Sequence, residues 1–182
     1  MDQPEDQAAG PHAQTAIPRA GTRHSEEWWR RRGFRVRTYR PEDFDALHAI
    51  WKACEISLDD TDTAESIARN LRRRKHSLRI FVVETAGVAP AAPGVPRLVG
   101  GVMTAFDGHR AYVYHLAVHP QFRAGGLGRL LLETCEWQAQ AWGARHLRLT
   151  ARRDDVRIAA RRMYAAAGWR HRKELWVYSK DL

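Results

Sequence analysis

The sequence predicts an α/β protein built on one mixed sheet, with antiparallel strands first and a strand–helix–strand second half. Three observations carry this. Apolar, β-branched runs at 78–85, 97–106 and 111–118 sit between turn residues. Helical apolar spacing precedes them at 41–54 and 63–74. After residue 126, helix and strand patterns alternate, as a parallel crossover requires. A length of 182 residues suits one domain and leaves little room for a second.

Residues 1–33 are rich in Gln, Ala, Pro and His without an apolar period, and are expected to form a flexible extension. Within it, SEEWWRRRG at 25–33 is a short helix candidate, with Ser25 as cap and Trp28 and Trp29 docking on the body. The domain proper is expected to run over 34–182. FRVRTY at 34–39 alternates as a strand, and Phe44, Leu47, Ile50 and Trp51 fall on one face of the helix that follows. A second helix spans about Thr63 to Arg74, with Ile67 and Leu71 four apart. LRIFVVET is the second strand, followed by a Pro/Gly loop at 86–96. RLVGGVMTAF is the third, where Gly100 and Gly101 point to a bulge or a close backbone approach. Asp107-Gly108 turns the chain into AYVYHLAV. A helix from Gly126 to Gly143 carries Leu127, Leu130 and Leu131 on its stripe. Strand 146–151, a helix over about 156–167 ending at Gly168, and a closing strand at 174–179 complete the chain.

Hydrophobic residues make up 44% and charged residues 28%, which argues against wholesale disorder. No apolar run reaches the roughly 20 residues of a membrane span. The acidic N-terminus has no apolar core of a secretory signal. Cys54 and Cys135 form no CxxC pair, and nine histidines show no HExxH, so no metal is expected. These features suggest a cytoplasmic protein.

The net charge of +9 is unevenly spread. Residues 41–66 hold eight acids against Lys52 alone, while from residue 67 onward 21 bases face eight acids. Such a split suits a molecule that meets an anion on one side and a cation on the other. Nucleic acid is not favoured, because no zinc-finger spacing, heptad or RNP-like aromatic string is present.

HPQFRAGGLGRLL at 119–131 joins a strand to a helix through three glycines behind an arginine. Glycines let backbone N–H groups approach a phosphate, the helix N-terminus adds its positive end, and Arg123 and Arg129 bracket the loop. The loop is neither a Walker loop, lacking GxxxxGK[ST], nor a GxGxxG fingerprint with its third glycine. A tight turn is its plain structural alternative.

Strand YHLAV, then HP, then Arg123-x-x-Gly126-x-Gly128 opening a helix, resembles motif A of the GNAT superfamily of N-acetyltransferases. TARRDDVRIAARRMYAAAGW at 150–169 is similar to that family's strand, helix, tyrosine and Gly-aromatic ending, with Tyr164 and Gly168-Trp169 at the matching places. Arg157 stands where many members have asparagine. The resemblance covers about residues 34–180. It implies a GNAT (acyl-CoA N-acyltransferase) fold, a central mixed sheet splayed at strands 4 and 5 with helices on both faces. It implies acetyl-CoA as co-substrate, with pyrophosphate on the backbone of Arg123, Ala124, Gly125, Gly126, Leu127, Gly128 and Arg129. Arg157 is carried over to the cofactor side, and the pantetheine arm to Leu116, Ala117 and Val118.

The activity implied is direct attack of a primary amine on the thioester, with no covalent enzyme intermediate. Tyr164 is the expected acid, since a phenol at about 10 and a thiol at about 8.5 share a proton readily. Val118 N–H is the expected oxyanion donor. Tyr114 and His115 are the candidates for the base, and either could instead be structural. By strict alternation Tyr112, Tyr114 and Leu116 share one strand face, and Val113, His115 and Ala117 the other. Asp59, Asp60 and Asp62 are expected to draw in a cationic acceptor, with a helix cap and polar loop as the plain alternative. Other readings stay open: a different acyl-CoA, or a non-catalytic basic RNA- or ribosome-associated module. A homodimer is common in the family, and the sequence does not decide it.

Overall fold

A computed structural model describes residues 24–86, 96–151, 158–177 and 180. The short N-terminal helix forms as α1 (Glu26–Arg31), where the Ser25 side chain accepts the Trp28 N–H. Glu26 and Glu27 sit in its first turn and Arg30 and Arg31 in its last, each sign matching the helix dipole. Its Trp29 is a core residue, only 5% exposed.

Strands β1 (Phe34–Thr38), β2 (Leu78–Thr85), β3 (Leu98–Phe106) and β4 (Ala111–Val118) pair antiparallel in that order, and β5 (Leu147–Leu149) adds parallel to β4. Helices α2 (Phe44–Ala53) and α3 (Ala64–Arg73) cover one face. Helix α4 (Leu127–Ala141) covers the other, with α5 (Ile158–Ala166) beside it. Both faces are therefore buried, which is why the centre of β2, Ile80 to Val83, reads as an unbroken apolar run. Its Phe81 and Val83 enter the α4 cluster with Val102, Leu131 and Cys135, while Ile80 and Val82 enter the α2 cluster with Leu47, Trp51 and Ile67. Gly101 is demanded by that packing, because a Cβ there would lie 2.5 Å from Leu47 Cδ1.

One polar network is buried between β1 and the turn into α2. Arg37 donates to Asp43 at 2.6 and 2.8 Å and to Glu84 at 2.6 Å. Burial pushes the Asp43 carboxyl up, but hydrogen bonds from Arg37 and the Arg40 N–H outweigh it and hold the carboxyl below its usual range. Glu84 shows the same balance, with Arg37 and Arg35 as its partners. The network ties β1, β2 and the start of α2 together, and no charge is left unpaired.

Three expectations need correction. The closing strand at 174–179 is not formed over 174–177, where Trp176 is 83% exposed; 178–179 lie outside the described residues. Apolar alternation supplied the propensity, but a strand also needs a partner, and none is taken up there. Strand 146–151 shortens to three residues, so β4 loses its β5 partner after Val113 and the sheet opens from Tyr114 onward.

The third correction concerns the faces of β4. Gly101 lies opposite Ala117, but Met103 lies opposite Tyr114, so Val102 alone faces both His115 and Leu116. This is a β-bulge, and His115 adopts φ 50° within it. The extra residue breaks the period of two. Tyr114 shares its face with Met103, and His115 turns to the same α2 side against Trp51, at 4.9 Å between ring centroids. Val113, Leu116 and Val118 pack with the α4 cluster instead.

Candidate active site

The loop between β4 and α4 begins with a 3-10 turn at Pro120–Phe122 and passes through Ala124 at φ 64° and Gly126 at φ 88°. Leu130 N–H makes the bond to Gly126 C=O at 3.0 Å, so the N–H groups of Leu127, Gly128 and Arg129 precede any intrahelical acceptor. The three glycines differ in what they are for. A Cβ on Gly125 would meet only the Phe122 carbonyl, at 3.8 Å, so this position faces open space. One on Gly126 would lie 3.2 Å from Trp29 Cη2, and one on Gly128 3.0 Å from Met163 Sδ of α5. Gly126 thus serves the left-handed backbone and Gly128 the packing of α5.

The two arginines that bracket the loop are engaged inside the protein. Arg123 Nε donates to the Val118 carbonyl at 3.1 Å, and its NH2 lies 3.3 Å from Cys54 Sγ, which itself lies 3.2 Å from the same carbonyl. Arg129 donates to Glu133 at 2.7 Å and to the Ala166 carbonyl at 2.7 Å, clamping α5 onto α4. Their guanidinium groups therefore hold the loop in shape. Arg157 lies outside the described residues.

Where β4 runs free of β5, the backbone changes sides. His119 N–H donates to Val99 C=O at 2.8 Å, so by the alternation of an antiparallel ladder Val118 turns its N–H and C=O away from β3. Arg123 and Cys54 take the carbonyl. Val118, Leu116, Met163 and Tyr164 all pack against the α4 cluster, which brings β4 and α5 to one side of the opening. Tyr164 is half-buried beside Trp169, at 6.2 Å between rings, and burial raises its phenol above the ordinary value. Tyr114 stands on the opposite face, 42% exposed and stacked on Tyr112.

The three aspartates do not act as one patch. Asp62 is buried, with Oδ1 at 2.7 Å from His115 Nε2 and Oδ2 accepting the Asp59 N–H at 3.1 Å. Asp59 caps its own turn through the Thr61 N–H and hydroxyl, and the hydrogen bonds to Thr61 hold its carboxyl below the usual range. Asp60 is exposed. The helix-cap expectation is met by Thr63, whose hydroxyl accepts the Ser66 N–H at the start of α3.

Residues 44–169 match the sequence profile described as the Acetyltransferase (GNAT) family. The chain belongs to the GNAT acetyltransferases. Solved structures with the same fold include an aminoglycoside acetyltransferase from an uncultured soil metagenomic sample, in complex with sisomicin, at 15% identity and TM-score 0.63. That match covers 84% of this chain and 98% of the other. Glucosamine-6-phosphate N-acetyltransferase from Arabidopsis thaliana matches at 12% identity and TM-score 0.59, covering 81% and 99%. A predicted acetyltransferase from Clostridium acetobutylicum, with acetyl-CoA, matches at 16% identity and TM-score 0.59, covering 80% and 96%.

As a GNAT acetyltransferase the chain is an acetyl-CoA-dependent enzyme. Its own residues fit that co-substrate in three respects: the first N–H groups of α4 have no acceptor among the described residues, Gly125 opens outward, and Val118 N–H faces the gap beyond β5. Among the described residues no cluster of His, Cys, Asp and Glu could hold a metal, and no helix is long and apolar enough to cross a membrane. Sequence reasoning did not place two contacts of the β4–α4 loop. Trp29 abuts Gly126 from a segment set outside the domain, and its docking was legible only as an apolar pair on a short helix. Cys54 bridges the end of α2 to Arg123 and Val118; nothing in its local sequence signals that.

Proposed function

We propose that this acetyltransferase moves the acetyl group to a primary amine by direct attack, without a covalent enzyme intermediate. Bound acetyl-CoA supplies an activated thioester carbonyl. The N–H groups of Leu127, Gly128 and Arg129, with the helix dipole behind them, would hold its pyrophosphate. Val118 N–H would stabilise negative charge on the carbonyl oxygen. Tyr164 would give its proton to the departing sulfur; burial keeps the phenol protonated, which is the state an acid needs. Cys135 is poorly suited to carry an acyl group, since full burial pushes its thiol up.

The observation that carries this reading is that the sheet opens beyond Val113 while the first turn of α4 lies against β4, a Cβ on Gly128 falling 3.9 Å from Val118 Cγ2. Asp59 and Asp60, at the surface on the α2–α3 side, support a cationic acceptor, while the basic second half supports an anionic co-substrate. An acetyl-CoA titration by calorimetry, followed by an acceptor screen that detects released thiol, tests it. Micromolar acetyl-CoA binding with amine-dependent thiol release is expected. A folded protein that binds RNA with steep salt dependence and does not bind acetyl-CoA would overturn it.

A further inference from the structure

The α2 face of the opening holds a pair of side chains that neither the loop nor Tyr164 accounts for. His115 sits in the β4 bulge at φ 50°, two residues past the last β4–β5 pair. A non-glycine residue in the left-handed region is held there by its surroundings at some cost. What holds it is Asp62, from the connection before α3: Oδ1 lies 2.7 Å from His115 Nε2. The Asp62 carboxylate is fixed in turn, because Oδ2 accepts the Asp59 N–H and Asp59 is locked by Thr61. The Trp51 ring closes the other side of the imidazole. Both side chains are largely withdrawn from solvent, at 19% for His115 and 9% for Asp62.

We propose that His115 is the proton acceptor for the attacking amine and that Asp62 is its positioning residue; this rests on the acetyl-transfer reading above. A carboxylate on Nε2 favours the tautomer with the proton on that nitrogen. Nδ1 is then the basic nitrogen, and it has no protein partner among the described residues. The bulge matters because it puts His115 on the same face as Tyr114; counted on from Val113, strict alternation would send it toward α4. His115 Nδ1 takes the proton the amine loses as its N–C bond forms and the C–S bond breaks. The sulfur takes its proton from Tyr164, and both side chains re-equilibrate with water. Asp62 is thereby reassigned: its charge faces His115 rather than the acceptor. Tyr114, exposed and stacked on Tyr112, has no comparable orienting partner among the described residues.

The full-length chain is assayed with acetyl-CoA and a panel of putrescine, spermidine, glucosamine and kanamycin, with acetyl-CoA affinity measured on every protein. Asp62→Asn is expected to lower kcat about 10- to 100-fold with the KM for acetyl-CoA unchanged, since an asparagine amide no longer enforces the tautomer. Asp62→Glu should recover part of the loss. His115→Asn, which tolerates the left-handed backbone, should lower kcat about 100-fold or more. Full kcat in folded His115→Asn, or equal kcat in folded Asp62→Asn and wild type, overturns the dyad and leaves acetyl transfer standing. Failure of the wild type to bind acetyl-CoA overturns the acetyl-transfer reading instead, and the dyad with it. Nitrogen-15 NMR of His115 in the wild-type chain needs neither turnover nor a variant. Of the two neutral tautomers, the Nε2–H form is expected, and the Nδ1–H form would refute the assignment.

Discussion

Gly125→Val tests the proposed anion-binding role of the β4–α4 loop apart from the packing around it. The position is not in the left-handed region, and a Cβ there touches only the Phe122 carbonyl at 3.8 Å, an ordinary contact. Folding stability should therefore change by no more than about 0.5 kcal/mol. The branched side chain would instead fill the space in front of the first N–H groups of α4. Charge-assisted hydrogen bonds are worth about 1.5–3 kcal/mol each, so displacing a phosphate oxygen from one of them raises Kd about 10- to 100-fold. Gly126→Val and Gly128→Val are poorer probes. The first forces a branched residue to φ 88° and pushes into Trp29, and the second meets Met163 at 3.0 Å. Either would lower stability whether or not a phosphate binds there. Thermal unfolding and acetyl-CoA calorimetry on the three variants separate the cases. A folded Gly125→Val protein with unchanged Kd would remove the loop from cofactor binding.

Tyr164→Phe keeps the ring against Trp169 and deletes only the hydroxyl; kcat should fall about 10²-fold with acetyl-CoA affinity unchanged, as measured by thiol release and calorimetry. The double change Asp59→Asn, Asp60→Asn leaves an amide oxygen to accept from Thr61 but removes both charges. The KM for a cationic amine should rise and lose salt sensitivity while the KM for acetyl-CoA stays fixed; equal rises would return the loop to a structural role. Arg37→Met takes the guanidinium from buried Asp43 while Glu84 keeps Arg35, and should cost about 3–5 kcal/mol in urea unfolding. Because Asp43 and Glu84 titrate below their usual range in the folded chain, their contribution is complete at neutral pH. It is lost as acidification protonates them, so the wild type should weaken more steeply than Arg37→Met below about pH 4.

The sequence by itself determined what depends on neighbours along the chain. The Ser25 cap, the apolar stripes of α2 and α4, the run in β2 and the glycines before α4 are local signals, and each element stands where they point. The order of those elements, with Gly126, Gly128 and Tyr164 at their spacings, was enough to name the family. Gly100 and Gly101 likewise announced a close approach, though only the fold shows Leu47 and the Ala117 carbonyl as what approaches. Tertiary structure decided the rest. One inserted residue in β4 reverses the faces across it, so Tyr114 and His115 share the α2 side while Val113 faces α4, which period-two reasoning cannot give. That same turn brings it to Asp62, 53 residues away, and changes a presumed substrate anchor into its partner. Arg123 and Arg129 read as charges bracketing the glycine loop because a charge in a sequence carries no record of its partner; here a carbonyl, a thiol, a helix end and a glutamate claim them. The apolar run at 174–177 fails as a strand for the same reason, since propensity is local but a strand exists only against another.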